Sequence, residues 1–278
     1  MNSKEHLMSI KLIAIDLDGT LLNNDLMITP GVKESILSAI AHGVHILLAT
    51  GRPFIGAKKY LQELELNKAG CYCLCNNGAL IVHADNGRPL FETLLDHNDY
   101  LYLESLSHRV GAHFHAFDYD KLYTANRDIS KYTIYESFIT GIPLHFCPSN
   151  EMDKKIRFPK VMMIDQPEVL DAAIDLIPKE IYKLYTIMKS SPYFLEILNK
   201  EADKGKGLSR IARYLNISHE NVMSIGDHEN DLAMIKYAGI GVAMGNAEYV
   251  IKEAAQFVTN NNQEDGVMIA INKLLFHK

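Results

Sequence analysis

Three short apolar runs each stop at a residue able to do chemistry, and this limits the fold of the 278-residue chain more than any other feature. Lys11 to Asp16, Val44 to Thr50 and Val222 to Ile225 read as short buried strands. Between the first two, Val32, Ile36, Leu37 and Ile40 recur at helical spacing. Thr29 and Pro30 suit the start of that helix and Gly43 its left-handed stop. A second helical pattern follows Pro53, with Phe54, Ala57, Leu61 and Leu64 inward, and then a strand through Tyr72 to Cys75. Strand, helix, strand, helix, strand is the opening of a parallel α/β sheet.

That rhythm breaks from about Asn86 to Pro192. Here the pattern gives helix (Leu94 to Val110), β pieces (His113 to Phe117, Lys121 to Thr124), strand (Val161 to Ile164), helix (Glu168 to Leu176) and strand (Leu184 to Lys189), punctuated by prolines. Afterwards the first rhythm resumes. A helix through Leu208, Ile211 and Leu215 leads to strand Val222 to Ile225, helix Leu232 to Tyr237, strand Gly241 to Met244, helix Ala247 to Ala255, strand Gln256 to Thr259 and a last helix to Leu275. The expected division is a parallel-sheet core from residues 1–86 and 193–278, interrupted by an α+β domain at 87–192.

Charge narrows the function. With 28 basic and 34 acidic residues the net charge is −6, and no lysine or arginine cluster has the density of a nucleic-acid patch. No apolar run approaches the roughly 18–20 residues that span a bilayer. The apolar stretch Leu12 to Ile15 is too brief for a secretory signal, so a cytoplasmic protein is expected. Four cysteines in a chain of this length fit a reducing compartment better than a disulfide framework.

The strand ends carry the chemistry. Asp16-Leu17-Asp18-Gly19-Thr20 follows the first strand, and ligands of open parallel sheets bind at the carboxyl ends of strands. A solvated turn is the plain alternative. A calcium loop is excluded, because Leu21 and Met27 stand where glycine and glutamate would be needed. Thr50-Gly51-Arg52-Pro53 ends the second strand and offers N–H groups to an anion, or else a simple helix cap. Gly226-Asp227-His228-Glu229-Asn230-Asp231 repeats the situation on a later strand, and its carboxylates too could merely cap a helix. In one parallel sheet Asp16, Thr50 and Asp227 would converge. Of the cations just upstream, Lys204 is singled out in Asp203-Lys204-Gly205-Lys206-Gly207, where the glycines would let backbone and ligand approach closely; Lys206 competes with it.

In this order, D-x-D-G-T, a threonine after the second strand, a late lysine and G-D-x-x-N-D resemble the four motifs of the haloacid dehalogenase superfamily of phosphotransferases. An insert between the second and third motifs resembles its Cof-type phosphatases, which carry a large α+β cap. Asn77-Gly78-Ala79, Thr124 to Ser130 and Glu264-Asp265-Gly266-Val267 extend the likeness over essentially the whole chain. Two features depart from the pattern: an extension before about Ser9, with Met8 a candidate start, and His228 inside the fourth motif.

The resemblance implies a Rossmann-like core with a specificity cap, and Mg²⁺-dependent hydrolysis of small phosphorylated substrates, sugar phosphates foremost. It makes Asp16 the nucleophile and Asp18 the acid/base. It assigns Mg²⁺ to the carboxylates of Asp16 and Asp227 and the backbone carbonyl of Asp18. Lys204, the Thr50 hydroxyl, the Leu17 and Gly51 N–H groups and the Asn230 amide would hold the phosphoryl oxygens, with Asp231 positioning Lys204 or a metal-bound water. By the same resemblance Asp18, where ion-pumping ATPases have threonine, favours hydrolysis. A phosphomutase on this scaffold and a non-catalytic sugar-phosphate binder are the rival readings.

Other constellations carry less. Cys71, Cys73 and Cys75 alternate along one strand, a spacing suited to core thiols rather than zinc. His113 and His115 share a strand face, to be explained by packing or a ligand contact. Gly239 to Gly245 has one residue too many for a dinucleotide fingerprint.

Overall fold

The computed structural model describes residues 10–277, so the extension before Ser9 lies outside the described residues. The described residues divide into two compact units: residues 10–51, 57–90 and 204–277, and residues 52–56 and 91–203.

The first unit is built on β1 (Leu12–Ile15), α1 (Pro30–Ala41), β2 (His45–Ala49), α2 (Phe54–Glu63), β3 (Tyr72–Cys75), β4 (Leu80–His83) and β5 (Pro89–Glu92). All four β1 residues are buried, as a strand covered on both faces requires. Thr29 caps α1 by accepting from the Val32 N–H, and Pro30 occupies the first turn.

The second unit contains α3 (His97–Val110), β6 (His113–Phe117), β7 (Leu122–Thr124), α4 (Lys131–Thr140), β8 (Leu144–Phe146), β9 (Lys160–Ile164), α5 (Pro167–Asp175), α6 (Ile181–Leu184), β10 (Tyr185–Ser191) and β11 (Phe194–Asn199). Its six strands run in the order β10-β11-β9-β6-β7-β8. Alternation sorts their side chains. Phe114, Val161, Met163, Leu195 and Ile197 pack in one cluster with Tyr100, Leu103 and Leu106 of α3 and Leu170 of α5. On the other face Phe117, Leu122, Met162, Ile164 and Phe194 form a second, smaller cluster. That face also buries an ionic group, with Lys160 Nζ 3.3 Å from Glu196 Oε1 and 3.9 Å from Glu136 Oε1.

The chain then returns to the first unit through α7 (Lys204–Tyr214), β12 (Val222–Gly226), α8 (Leu232–Tyr237), β13 (Ile240–Ala243), α9 (Tyr249–Ala254), β14 (Phe257–Val258) and α10 (Gly266–Leu274). The core sheet reads β14-β13-β12-β1-β2-β3-β4-β5. β1 therefore lies where the winding reverses, between β12 and β2, and such a switch point opens a ligand crevice at the strands' carboxyl ends. Register places Ile15 opposite both Ile225 and Leu48, so Asp16, Thr50 and Asp227 emerge at one end.

Two sequence boundaries move. The second unit ends at Asp203 rather than 192, because β11 pairs along its length with β9 and β10 and so belongs to the inserted sheet. The first unit also runs to Leu90 rather than residue 86, its sheet continuing past β3 through the antiparallel β4 to β5.

Candidate active site

Asp16 is still in the ladder, its N–H donating to the Ile225 carbonyl at 3.0 Å. The loop then folds back, with the Leu21 N–H on the Asp16 carbonyl and the Leu22 N–H on that of Leu17. The reversal needs the left-handed conformation of Gly19, φ +83°. Glycine is required there for space as well: a Cβ would run into Asp227 Oδ2. Thr20 Oγ1 donates to Asp227 Oδ1 at 2.8 Å, which ties the first motif to the last.

Lys204 opens α7 and is wholly buried. Its ammonium lies 2.5 Å from Asp16 Oδ1 and 2.6 Å from Asp231 Oδ1. Of Lys204 and Lys206, it is thus Lys204 that reaches Asp16. The flanking glycines serve a different purpose from close ligand approach. A Cβ on Gly205 would stand 2.5 Å from the Ala233 carbonyl oxygen, and one on Gly207 2.5 Å from Leu74 Cδ1. They let α7 press against α8 and β3, and this contact carries Lys204 inward.

Asp231 uses both oxygens for support. Oδ1 holds Lys204, and Oδ2 accepts from the backbone N–H groups of Asp227 and His228 at 2.9 and 3.1 Å. Asp227 is fixed by Thr20 and by Asn246, whose Nδ2 donates to the Gly19 carbonyl at 2.8 Å and lies 3.4 Å from Asp227 Oδ2. Sequence reasoning missed Asn246. It follows β13 just as Asp227 follows β12, so the same strand-end logic could have found it.

Thr50 is fully buried, its N–H on the Leu74 carbonyl and its carbonyl accepting from the Asn77 N–H. Gly51 follows it, half-buried, against the Asn77 side chain. Leu17 is buried and Asp18 exposed. Asn230 Nδ2 donates to Asn77 Oδ1 at 2.9 Å. His228 pairs through Nδ1 with Glu248 Oε1 at 3.3 Å, and both side chains are about half exposed.

The electrostatics follow from burial. Desolvation, followed by repulsion from Asp231, raises the Asp16 pKa well above the usual carboxylate range, with Lys204 opposing and Asp227 adding to the rise. Asp227 is pushed up to about 6, first by burial and then by Asp231, against the Thr20 hydrogen bond. Burial alone would lower Lys204, but the charges of Asp16 and Asp231 outweigh it and hold the ammonium above its ordinary value.

Fully ionised, three carboxylates facing one ammonium would leave two negative charges, an excess that the raised pKa values of Asp16 and Asp227 reflect. Asp16, Asp227 and Asp231 each offer an oxygen, all within 4.8 Å of one another and buried. An all-oxygen donor set with this residual charge fits one hard divalent cation such as Mg²⁺.

The other groups singled out from sequence lie among side-chain partners. Cys73 and Cys75 are buried thiols with sulfurs 3.6 Å apart, and Cys71 is half-buried. His115 is wholly buried beside Thr133 Oγ1, while His113 pairs with Asp165. Among the described residues no helix is long and apolar enough to cross a membrane.

Comparison with known proteins places the chain in a family. The model of the haloacid dehalogenase-like hydrolases matches residues 13–271. YxeH of Bacillus subtilis, provisionally named a phosphatase, is 46% identical over 268 residues, 96% of this chain and 99% of YxeH. YcsE of the same organism, named a 5-amino-6-(5-phospho-D-ribitylamino)uracil phosphatase, is 31% identical over 264 residues, 94% of each chain. The solved structure of a haloacid dehalogenase-like hydrolase from Bacteroides thetaiotaomicron aligns with a TM-score of 0.83 at 29% identity, over 96% of this chain and 100% of that one.

Proposed function

Because the chain belongs to the haloacid dehalogenase-like hydrolase family, we propose that it is a Mg²⁺-dependent phosphatase of small phosphate monoesters, sugar phosphates foremost, acting through an aspartyl-phosphate on Asp16. The observation that carries this reading is the buried ion pair of Lys204 with Asp16, backed by Asp231 and set beside Asp227.

Hydrolysis of phosphate monoesters is among the slowest uncatalysed reactions, and a carboxylate nucleophile divides it into two easier steps. In the first, an Asp16 oxygen bonds to phosphorus as the bond to the leaving oxygen breaks, and Asp18 in its acid form gives that oxygen a proton. In the second, Asp18 takes a proton from water, whose oxygen attacks phosphorus, releasing inorganic phosphate and the Asp16 carboxylate. Exposure of Asp18, against burial of Asp16, suits a group that exchanges protons with leaving group and water.

Asp16 must be ionised to attack, yet its surroundings raise its pKa. Mg²⁺ held by Asp16, Asp227 and the Asp18 carbonyl would supply the missing positive charge for both the carboxylate and the phosphoryl group. Lys204, the Thr50 hydroxyl, the Leu17 and Gly51 N–H groups and the Asn230 amide are assigned to the phosphoryl oxygens, where preorganised donors act on developing charge. Asp231 holds Lys204 in line. Substrate choice is assigned to the inserted α+β unit. A phosphate on a polyhydroxylated chain is supported by the name of YcsE, which specifies a phosphoribitylamino compound.

The test is phosphate release from a panel of sugar and polyol phosphates, nucleotides, pyridoxal phosphate and flavin mononucleotide, with Mg²⁺ and with EDTA. Mg²⁺-dependent release, fastest on sugar or polyol phosphates, is expected. Phosphate moving between substrate positions without release would instead mean a mutase, and saturable binding without turnover a sensor.

A further inference from the structure

Two consecutive residues after β3, Asn76 and Asn77, hold the left-handed conformation at φ +47° and +52°. Both are almost wholly buried, at 2% and 1% exposure. L-residues resist this region, and a buried pair of them persists only where the surroundings fix it. The proposed chemistry above gives neither residue a task.

Their contacts supply one. The Asn77 N–H donates to the Thr50 carbonyl at 3.0 Å, and the Asn77 side chain lies against the face of Gly51, where a Cβ would come within 3.2 Å of its amide atoms. Asn77 Oδ1 accepts from Asn230 Nδ2 at 2.9 Å. One side chain thus bridges the loop after β2 and the loop after β12, which are far apart in sequence. Both carry groups assigned to the same phosphoryl oxygens.

Asn230 shows what the bridge decides. Its Oδ1 is buried with no hydrogen-bond partner among the described residues. A carboxamide left to rotate would turn that oxygen toward a donor. Fixing one N–H of Nδ2 on Asn77 Oδ1 sets the orientation instead, and leaves the second N–H to meet an anion rather than the oxygen lone pairs.

We propose that Asn77 is a positioning residue for the phosphoryl group: it orients the Asn230 amide as a donor and seats Gly51, and its left-handed backbone is the conformation that lets it reach both. The proposal rests on the phosphatase reading and concerns the same site.

Asn77→Gly separates this role from a structural one. Glycine accepts φ +52° without strain while removing the side chain, so an asparagine needed only for its backbone conformation would be replaced with vanadate inhibition intact. The measurements are the inhibition constant of orthovanadate with Mg²⁺ and the thermal midpoint, for wild type, Asn77→Gly, Asn230→Ala and the double variant. Expected are a midpoint for Asn77→Gly no lower than that of Asn230→Ala, which loses the same hydrogen bond, vanadate inhibition weakened about tenfold or more, and a double variant little worse than Asn230→Ala alone. Wild-type vanadate inhibition in Asn77→Gly, or losses that add fully in the double variant, would overturn the proposal and leave the phosphatase reading standing. Failure of wild type to hydrolyse any phosphate monoester or to respond to vanadate would overturn both.

Discussion

The Lys204 ammonium lies 2.5 Å from Asp16 Oδ1, and neither side chain is open to water beyond a sliver of the carboxylate. A buried cation is stable only when paired, and removing one partner leaves the other charge stranded. Lys204→Met strands Asp16 and Asp231 together. The expected loss is about 3–5 kcal/mol in urea unfolding, with turnover down by about 10²–10³-fold or more. Wild-type activity in this variant would remove Lys204 from the site.

Asp227 gives a pH dependence with a definite sign. Its pKa rises on folding from an ordinary 3.8 to about 6, so the native state holds this proton more tightly than the unfolded chain. Its contribution to stability is therefore complete below the ordinary value and lost as pH rises through about 6. In EDTA, Asp227→Asn should lack this part of the decline and be more stable than wild type at pH 7.5 by about 2–3 kcal/mol. Added Mg²⁺ should stabilise wild type and not the variant. Thermal midpoints at pH 4.5 and 7.5, with and without Mg²⁺, check both statements.

Gly19→Ala combines an unfavourable left-handed φ with a Cβ aimed at Asp227 Oδ2. The backbone strain alone costs about 1–3 kcal/mol. Displacement of Asp227 should weaken Mg²⁺ binding about 10–100-fold, read by calorimetry with Mg²⁺ alone.

In the inserted unit His115 is held neutral, its pKa lowered from 6.5 to about 3, chiefly by burial and then by Lys160. The unfolded chain takes up this proton first, so stability is lost as pH falls below 6.5. His115→Phe should shrink the stability difference between pH 7.5 and pH 5 by about 2 kcal/mol, measured by denaturant unfolding at the two values.

Much of this was legible in the sequence because strand ends in a parallel sheet report on one edge. Asp16, Thr50 and Asp227 were placed by that rule, and the register of β1 with β2 and β12 confirms their common edge. Less could be read where pairing is antiparallel, because such strands need no helix between them to mark the sheet they join. No strand is read from the sequence at Phe194 to Asn199, which falls in the 193–278 segment given to the core, yet it forms β11 and its partners are β9 and β10. The glycines beside Lys204 were read as room for a ligand, whereas the clashes a Cβ would make are with Ala233 and Leu74. Local sequence shows that glycine is needed, not which neighbour demands it. Position after β13 flags Asn246, but its partner Gly19 is 227 residues away and the Asn230 partner of Asn77 is 153 away, so local sequence names neither contact.

The most direct test is covalent. With p-nitrophenyl phosphate the leaving group departs without protonation, so Asp18→Asn should complete the first step and stall in the second, where water must be activated. Acid-quenched Asp18→Asn incubated with this substrate and Mg²⁺ should yield a peptide phosphorylated at Asp16, and Asp16→Asn should yield none and show no turnover. Substantial turnover by Asp16→Asn, or a phosphoryl group found on any other residue, would contradict Asp16 as the nucleophile.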